Sequence, residues 1–323
     1  MRRCARCLRR THSKGETVVA SVTPQRALPP AQPALPGVPG VRHSWVVAHG
    51  LELHVAEAGD PTSPPLVLLH GWPQHWYEWR KLVPELGKRF RLVMPDLPGF
   101  GWSEVPAHGY EKETLAGDIL ALLDRLGLES DVGLVGHDWG GWIGFLLCLR
   151  APERFRGYLA LNITHPWQRF ELRKLPAFAR FWYQLAVAAP HLGAAVIRDG
   201  RLVRRLLVRD LHHRGALTSG DLDAYLDVLA VPERARASSL LYRTFLAREL
   251  WPIVRGRYRD ARLELPGTLL FGTGDRFIAT DLLGGFERNA PRMRLELVPD
   301  SGHFIAEEKP ELVAAHVERL FGG

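Results

Sequence analysis

Val132-Gly133-Leu134-Val135-Gly136-His137-Asp138-Trp139-Gly140-Gly141 is an apolar run that ends in a small-x-Asp-x-small-small turn and opens onto a helical pattern. A sharp strand-to-helix turn brings backbones close together and strains the residue at its apex, so small neighbours are needed to leave a reactive side chain exposed there. Asp138 occupies the apex. A helix-capping role would account for an Asp at this point. It would not account for glycine at 136, 140 and 141 together with the apolar strand just before, so the pattern predicts that Asp138 is a nucleophile.

Outward from this turn, short β-branched or Leu-rich runs alternate with longer helical patterns, the signature of strands joined by crossover helices. Strands are predicted at 43–48, 51–57, 65–70, 91–95, 132–136 and 157–163. From 166 to about 262 the text reads as helix, including the Arg-rich amphipathic stretch Leu202 to Arg214. Strands return at 268–271 and 293–298, and a last helix is expected over 310–321. The expected fold class is α/β: a mostly parallel sheet flanked by helices, built from residues 41–165 and 263–323, with a helical cap inserted at 166–262. A chain of 323 residues suits one large domain carrying such an insertion.

Composition removes several function classes. Six of the seven net positive charges lie within residues 1–14, so the basic balance belongs to a tail and gives no reason to expect a nucleic-acid partner. Six prolines between Pro24 and Pro39 favour extended backbone, and residues 1–40 are expected to be a disordered extension. The Arg-rich helices carry Asp199 and Asp210 among their arginines and read as a solvated face. Three cysteines form no disulfide framework, and the single Cys4/Cys7 pair has no second pair to make a zinc site. No run reaches the roughly 18 apolar residues of a membrane helix, and no signal peptide is evident. A cytoplasmic protein without cofactor or metal is expected, and a homodimer is left open.

Two further segments complete the chemistry. Leu69-His70-Gly71-Trp72-Pro73 ends an early strand, in the position from which a loop donates one backbone N–H to an oxyanion hole, the residue after the nucleophile donating the other. Those donors would be the amides of Trp72 and Trp139. Downstream, Phe271-Gly272-Thr273-Gly274-Asp275 and Ser301-Gly302-His303-Phe304 place an acid and a base in Gly-rich turns, in the order nucleophile, acid, base. Alone, Asp275 reads as a turn residue and His303 is one of 14 histidines. Their order and context point to Asp138, His303 and Asp275 acting together.

With these residues assembled, residues 42–323 resemble the epoxide hydrolases of the α/β-hydrolase superfamily and their relatives, the haloalkane and haloacetate dehalogenases. The resemblance implies two cap tyrosines directed at an epoxide oxygen. Phe181-Trp182-Tyr183-Gln184-Leu185 and Leu241-Tyr242-Arg243 stand in the matching contexts, although a buried tyrosine bonded to backbone is the bland alternative. His70, Gly71, Pro73 and Trp182 are expected to contact a small apolar epoxide-type substrate. Haloacetate dehalogenases follow the nucleophile with arginines, where this chain has Trp139 and Trp142. Haloalkane dehalogenases commonly carry Asn where Trp72 stands and do not need paired tyrosines. Epoxide hydrolysis through an Asp138 ester is the reading preferred, with haloalkane dehalogenation and a non-catalytic ligand-binding protein of the same fold as alternatives.

Overall fold

A computed structural model describes residues 23–24, 32–168, 171 and 179–322. Cys4, Cys7 and the basic tail lie outside the described residues, as does part of the insertion.

Among the described residues nine strands form one sheet in the order β1-β2-β3-β5-β4-β6-β7-β8-β9. They are β1 (Thr23–Pro24), β2 (Arg42–Ala48), β3 (Leu51–Ala58), β4 (Pro65–Leu69), β5 (Arg91–Pro95), β6 (Val132–His137), β7 (Phe155–Leu161), β8 (Gly267–Gly272) and β9 (Met293–Val298). Strands β4 to β9 pair in parallel, while β1, β2 and β3 add antiparallel neighbours at one side. Side chains alternate across the pleat. In β4, Val67 and Leu69 join one apolar cluster, Leu66 and Leu68 the other. Helices α1 (Lys112–Arg125) and α2 (Asp138–Arg150) cover the first face, and the closing α9 (Pro310–Phe321) covers the second with Val313, Val317 and Phe321.

Chain between β7 and β8 leaves the sheet and forms α3 (Trp182–Ala188), α4 (Leu192–Asp199), α5 (Arg201–Asp210), α6 (Ser219–Ala230) and α7 (Pro232–Thr244), the last running on through a π-helical turn at Phe245–Glu249. A short helix α8 (Ile305–Glu308) precedes α9. Lys112 ties this insertion to the core: its buried ammonium lies 2.8 Å from Glu249 Oε2 and donates to the Leu241 carbonyl at 3.0 Å.

Two sequence expectations change. The helix predicted to run from Leu202 to Arg214 stops at Asp210, whose side chain turns inward and is buried while the backbone becomes extended at Leu211. The stretch expected to be a free extension is in part packed. Pro33 accepts a hydrogen bond from Trp102 Nε1 at 2.9 Å, and Leu35 and Val38 rest on the core. Apolar side chains give this Pro-rich stretch a surface to cover. Among the described residues, no helix is long and apolar enough to cross a membrane.

Candidate active site

In an open parallel sheet, ligands collect beyond the carboxyl ends of the strands, where the strand order reverses. Trp72 follows β4, Asp138 follows β6, Asp275 follows β8 and His303 follows β9, so one edge of the sheet gathers all four.

The turn at Asp138 is as tight as its glycines imply. Asp138 has φ +47°, in the left-handed region that few non-glycine residues adopt. A Cβ at Gly140 would meet the Leu69 carbonyl oxygen at 2.2 Å, and one at Gly136 would meet the Gly140 oxygen at 2.6 Å. With both bare, β6, α2 and the end of β4 close on one another and Asp138 is presented at the strand end.

His303 stands between two carboxylates. Its Nδ1 lies 2.8 Å from Asp275 Oδ2 and its Nε2 3.7 Å from Asp138 Oδ1. Asp275 is itself held: Oδ1 accepts from the Phe277 and Ile278 amides at 2.7 and 2.9 Å, and Oδ2 also accepts from Asn162 Nδ2 at 2.9 Å. Burial works against a charged imidazole. The carboxylates of Asp275, Asp138 and Asp210 outweigh it and raise the His303 pKa to about 9.

The Trp72 amide donates to Asp138 Oδ2 at 2.9 Å. Trp139 is the second residue of α2, in the first turn, where amides find no partner within the helix. Of the two predicted amide donors, that of Trp72 contacts the Asp138 carboxylate.

A cavity of about 500 Å³ opens over Asp138 and His303. Trp139, Trp142, Tyr183, Phe245, Phe277 and Leu282 are among its walls, and among the described residues Asp138, His303 and Tyr183 are its ionisable groups. Tyr183 is buried and stacks on Trp72, ring centres 6.2 Å apart. Burial, then the Asp138 carboxylate, pushes its pKa up, so its phenol keeps its proton at any physiological pH. Trp182, 54% exposed, sits in the cavity wall at the surface.

Four expected site residues are placed differently. Tyr242 does not line the cavity. It lies behind Tyr183, ring centres 5.9 Å apart, edge-on to Trp72 and Trp139, and burial raises its pKa as well. His70, Gly71 and Pro73, expected to contact substrate, are buried and absent from the cavity wall. The His70 ring is spent on backbone, with Nε2 accepting from the Leu97 amide at 3.0 Å and Nδ1 3.1 Å from the Gly71 carbonyl. Gly71 serves by its bareness, since a Cβ would stand 2.5 Å from that of Asp138.

Three groups near the site escaped sequence reading. Asn162 bridges Asp275 and the Gly302 carbonyl; a polar residue closing the apolar strand β7 was the available signal. His137 Nε2 lies 2.9 Å from the His303 carbonyl, with the buried Glu78 carboxyl 3.4 Å from its Nδ1. Asp210 of the insertion accepts from the His303 amide, and no local pattern announced it.

Comparison with known proteins gives the family. The model of a family described as alpha/beta hydrolase fold matches residues 64–310. A soluble epoxide hydrolase from Corynebacterium sp. (strain C12) is 30% identical over 299 residues, spanning 87% of this chain and 97% of that protein. Epoxide hydrolase 4 of Mus musculus is 29% identical over 299 residues, spanning 89% and 81%. Among solved structures, epoxide hydrolase CorEH without ligand matches with a TM-score of 0.77 at 27% identity, over 87% of this chain and 99% of that one.

Proposed function

Since this chain belongs to the α/β-hydrolase fold family and, within it, to the epoxide hydrolases, we propose that it converts a small apolar epoxide to a vicinal diol through a covalent ester on Asp138. The observation that carries the reading is a carboxylate, rather than a hydroxyl, at the strained apex, sharing a largely apolar cavity with His303 and a protonated phenol.

In the first step Asp138 Oδ1 attacks an epoxide carbon from the back. The carbon–oxygen bond of the ring breaks, and the leaving alkoxide takes the Tyr183 proton. Tyr242, packed against Tyr183, steadies the phenolate that remains. An alkoxide is a strong base, so an acid that holds its proton at neutral pH suits this step. A serine at position 138 would form an ether, a dead end. Asp138 forms an ester, which water can cleave.

Esterification removes the negative charge of Asp138. That withdraws one of the three carboxylates holding the imidazolium, and His303 gives its proton up more readily, to restore the Tyr183 phenol, just when a base is needed. Its Nε2 takes a proton from water, the hydroxide attacks Cγ of Asp138, and the oxyanion forms at Oδ2 facing the Trp72 amide. One such donor contributes about 3 kcal/mol in a comparable hole. Collapse expels the diol alkoxide, which takes its proton from His303, and the Asp138 carboxylic acid left behind passes its proton to His303, restoring the starting pair. The helical insertion acts as a cap that roofs the cavity and excludes bulk water.

The test compares the parent with Tyr183→Phe, using styrene oxide and 1-bromobutane and following diol and bromide. The parent should form diol, and Tyr183→Phe should form it roughly a hundredfold more slowly. Bromide release without diol, indifferent to Tyr183→Phe, would make the chain a haloalkane dehalogenase.

A further inference from the structure

One carboxylate of the insertion reaches both loops that carry the acid and the base. Asp210 ends α5, and its Oδ2 accepts from the His303 amide at 2.5 Å while its Oδ1 accepts from the Arg276 amide at 2.7 Å. The residue beside Asp275 and His303 itself therefore hang on the two oxygens of one buried side chain. The contact is reciprocated from the core. Glu308 of α8 accepts from the amides of His212 and His213 in the insertion, at 2.7 and 2.9 Å, and from the Gly302 amide at 2.7 Å. A Cβ at Gly302 would stand 1.9 Å from the Asp210 carbonyl oxygen, so the two strands of chain touch backbone to backbone.

Resting on the reading of Asp138, His303 and Asp275 above, we infer that Asp210 is a positioning residue that sets the separation of His303 and Asp275 and adds a third negative charge to the environment of the imidazole. Asp210 does not line the cavity, so it acts on the base and not on the substrate. Helix packing alone would be served by any small residue at the end of α5. A buried carboxylate aimed at two amides of the catalytic loops has a more specific effect.

The ionisable groups around Asp210 are Asp275 and His303 in the two core loops and Glu308 in α8. Arg276 contributes its amide while its side chain is exposed. On the same stretch of the insertion Arg209, His212 and His213 are exposed, and His212 reaches Asp300 at 3.6 Å. Burial, then the Asp275 carboxylate, raises the Asp210 pKa to about 7, and the two amides and His303 pull the other way. Asp210 is thus ionised across the more alkaline range in which His303, with its pKa near 9 in the free enzyme, gives up its proton. A negative charge beside an imidazole stabilises the imidazolium, so removing it moves the release of that proton to lower pH.

The experiment measures ester formation and ester hydrolysis separately across the neutral and alkaline range, with styrene oxide, for the parent, Asp210→Asn and Glu308→Gln. For Asp210→Asn, ester formation should stay within about twofold of the parent. Hydrolysis should slow about tenfold from looser alignment, and its rising limb should move down by about one pH unit. Glu308→Gln loosens the same junction without touching His303, and its limb should not move. Should Asp210→Asn not fold, Asp210→Glu keeps the charge on a longer arm: slower hydrolysis with the limb in place supports the inference, whereas a limb moved to lower pH overturns it. Both steps slowed alike in Asp210→Asn, with the limb unmoved, would make the residue structural only. Absence of diol from the parent would instead overturn the epoxide reading itself.

Discussion

Asp138→Asn will abolish diol formation, with a loss of at least about 10⁴-fold in kcat/KM, and leave the fold intact. An amide oxygen is a poor nucleophile, so no ester forms and no product appears even in a single turnover. Stability is expected to hold because asparagine adopts the left-handed conformation of residue 138 as readily as aspartate does. Its side-chain oxygen can still accept from the Trp72 amide. Loss of activity with an unchanged thermal melt therefore isolates the chemistry. Substantial residual diol formation would mean that the ring is opened by water directly, without Asp138 as nucleophile.

His303→Gln will separate the two steps. Ring opening needs Asp138 and Tyr183, so one equivalent of ester should build up per protein molecule. Its hydrolysis should fall by roughly 10³-fold or more once the base is gone. Mass spectrometry of the quenched protein reads this directly, as an adduct of one substrate mass on the peptide containing Asp138. The pH dependence has a definite sign. His303 acts as a base only when neutral, and neighbouring carboxylates raise its pKa, so hydrolysis in the parent should rise with pH and that rise should vanish in His303→Gln. Slow turnover without any adduct would place His303 in the first step instead of the second.

Much of this was legible because the chemistry depends on local backbone. Glycine is demanded at 136 by the Gly140 oxygen within the turn, at 140 by the Leu69 and His70 oxygens at the end of β4, and at 141 by Ile163 after β7, yet all three glycines stand within six residues, so the turn could be read from one segment. Strand boundaries also fall close to expectation, since buried parallel strands are short apolar runs ended by polar turns; β7, at Phe155–Leu161, lies two residues earlier than predicted. Orientation was less visible. His70 and Gly71 belong to the expected motif, but the motif does not say that the imidazole turns to the Leu97 amide. Asp210 could not be found at all. Its partners, the amides of Arg276 and His303, lie 66 and 93 residues further along the chain, and within its own segment it reads as one more polar residue on an Arg-rich helix.

The central claim, a covalent ester on Asp138, is tested most directly by a single turnover with excess protein in water enriched in heavy oxygen. Hydroxide is proposed to attack Cγ of Asp138 and not the epoxide carbon. The diol of that first turnover should therefore carry ordinary oxygen, while the peptide containing Asp138 gains the heavy atom. A labelled diol together with an unlabelled Asp138 peptide would contradict the account.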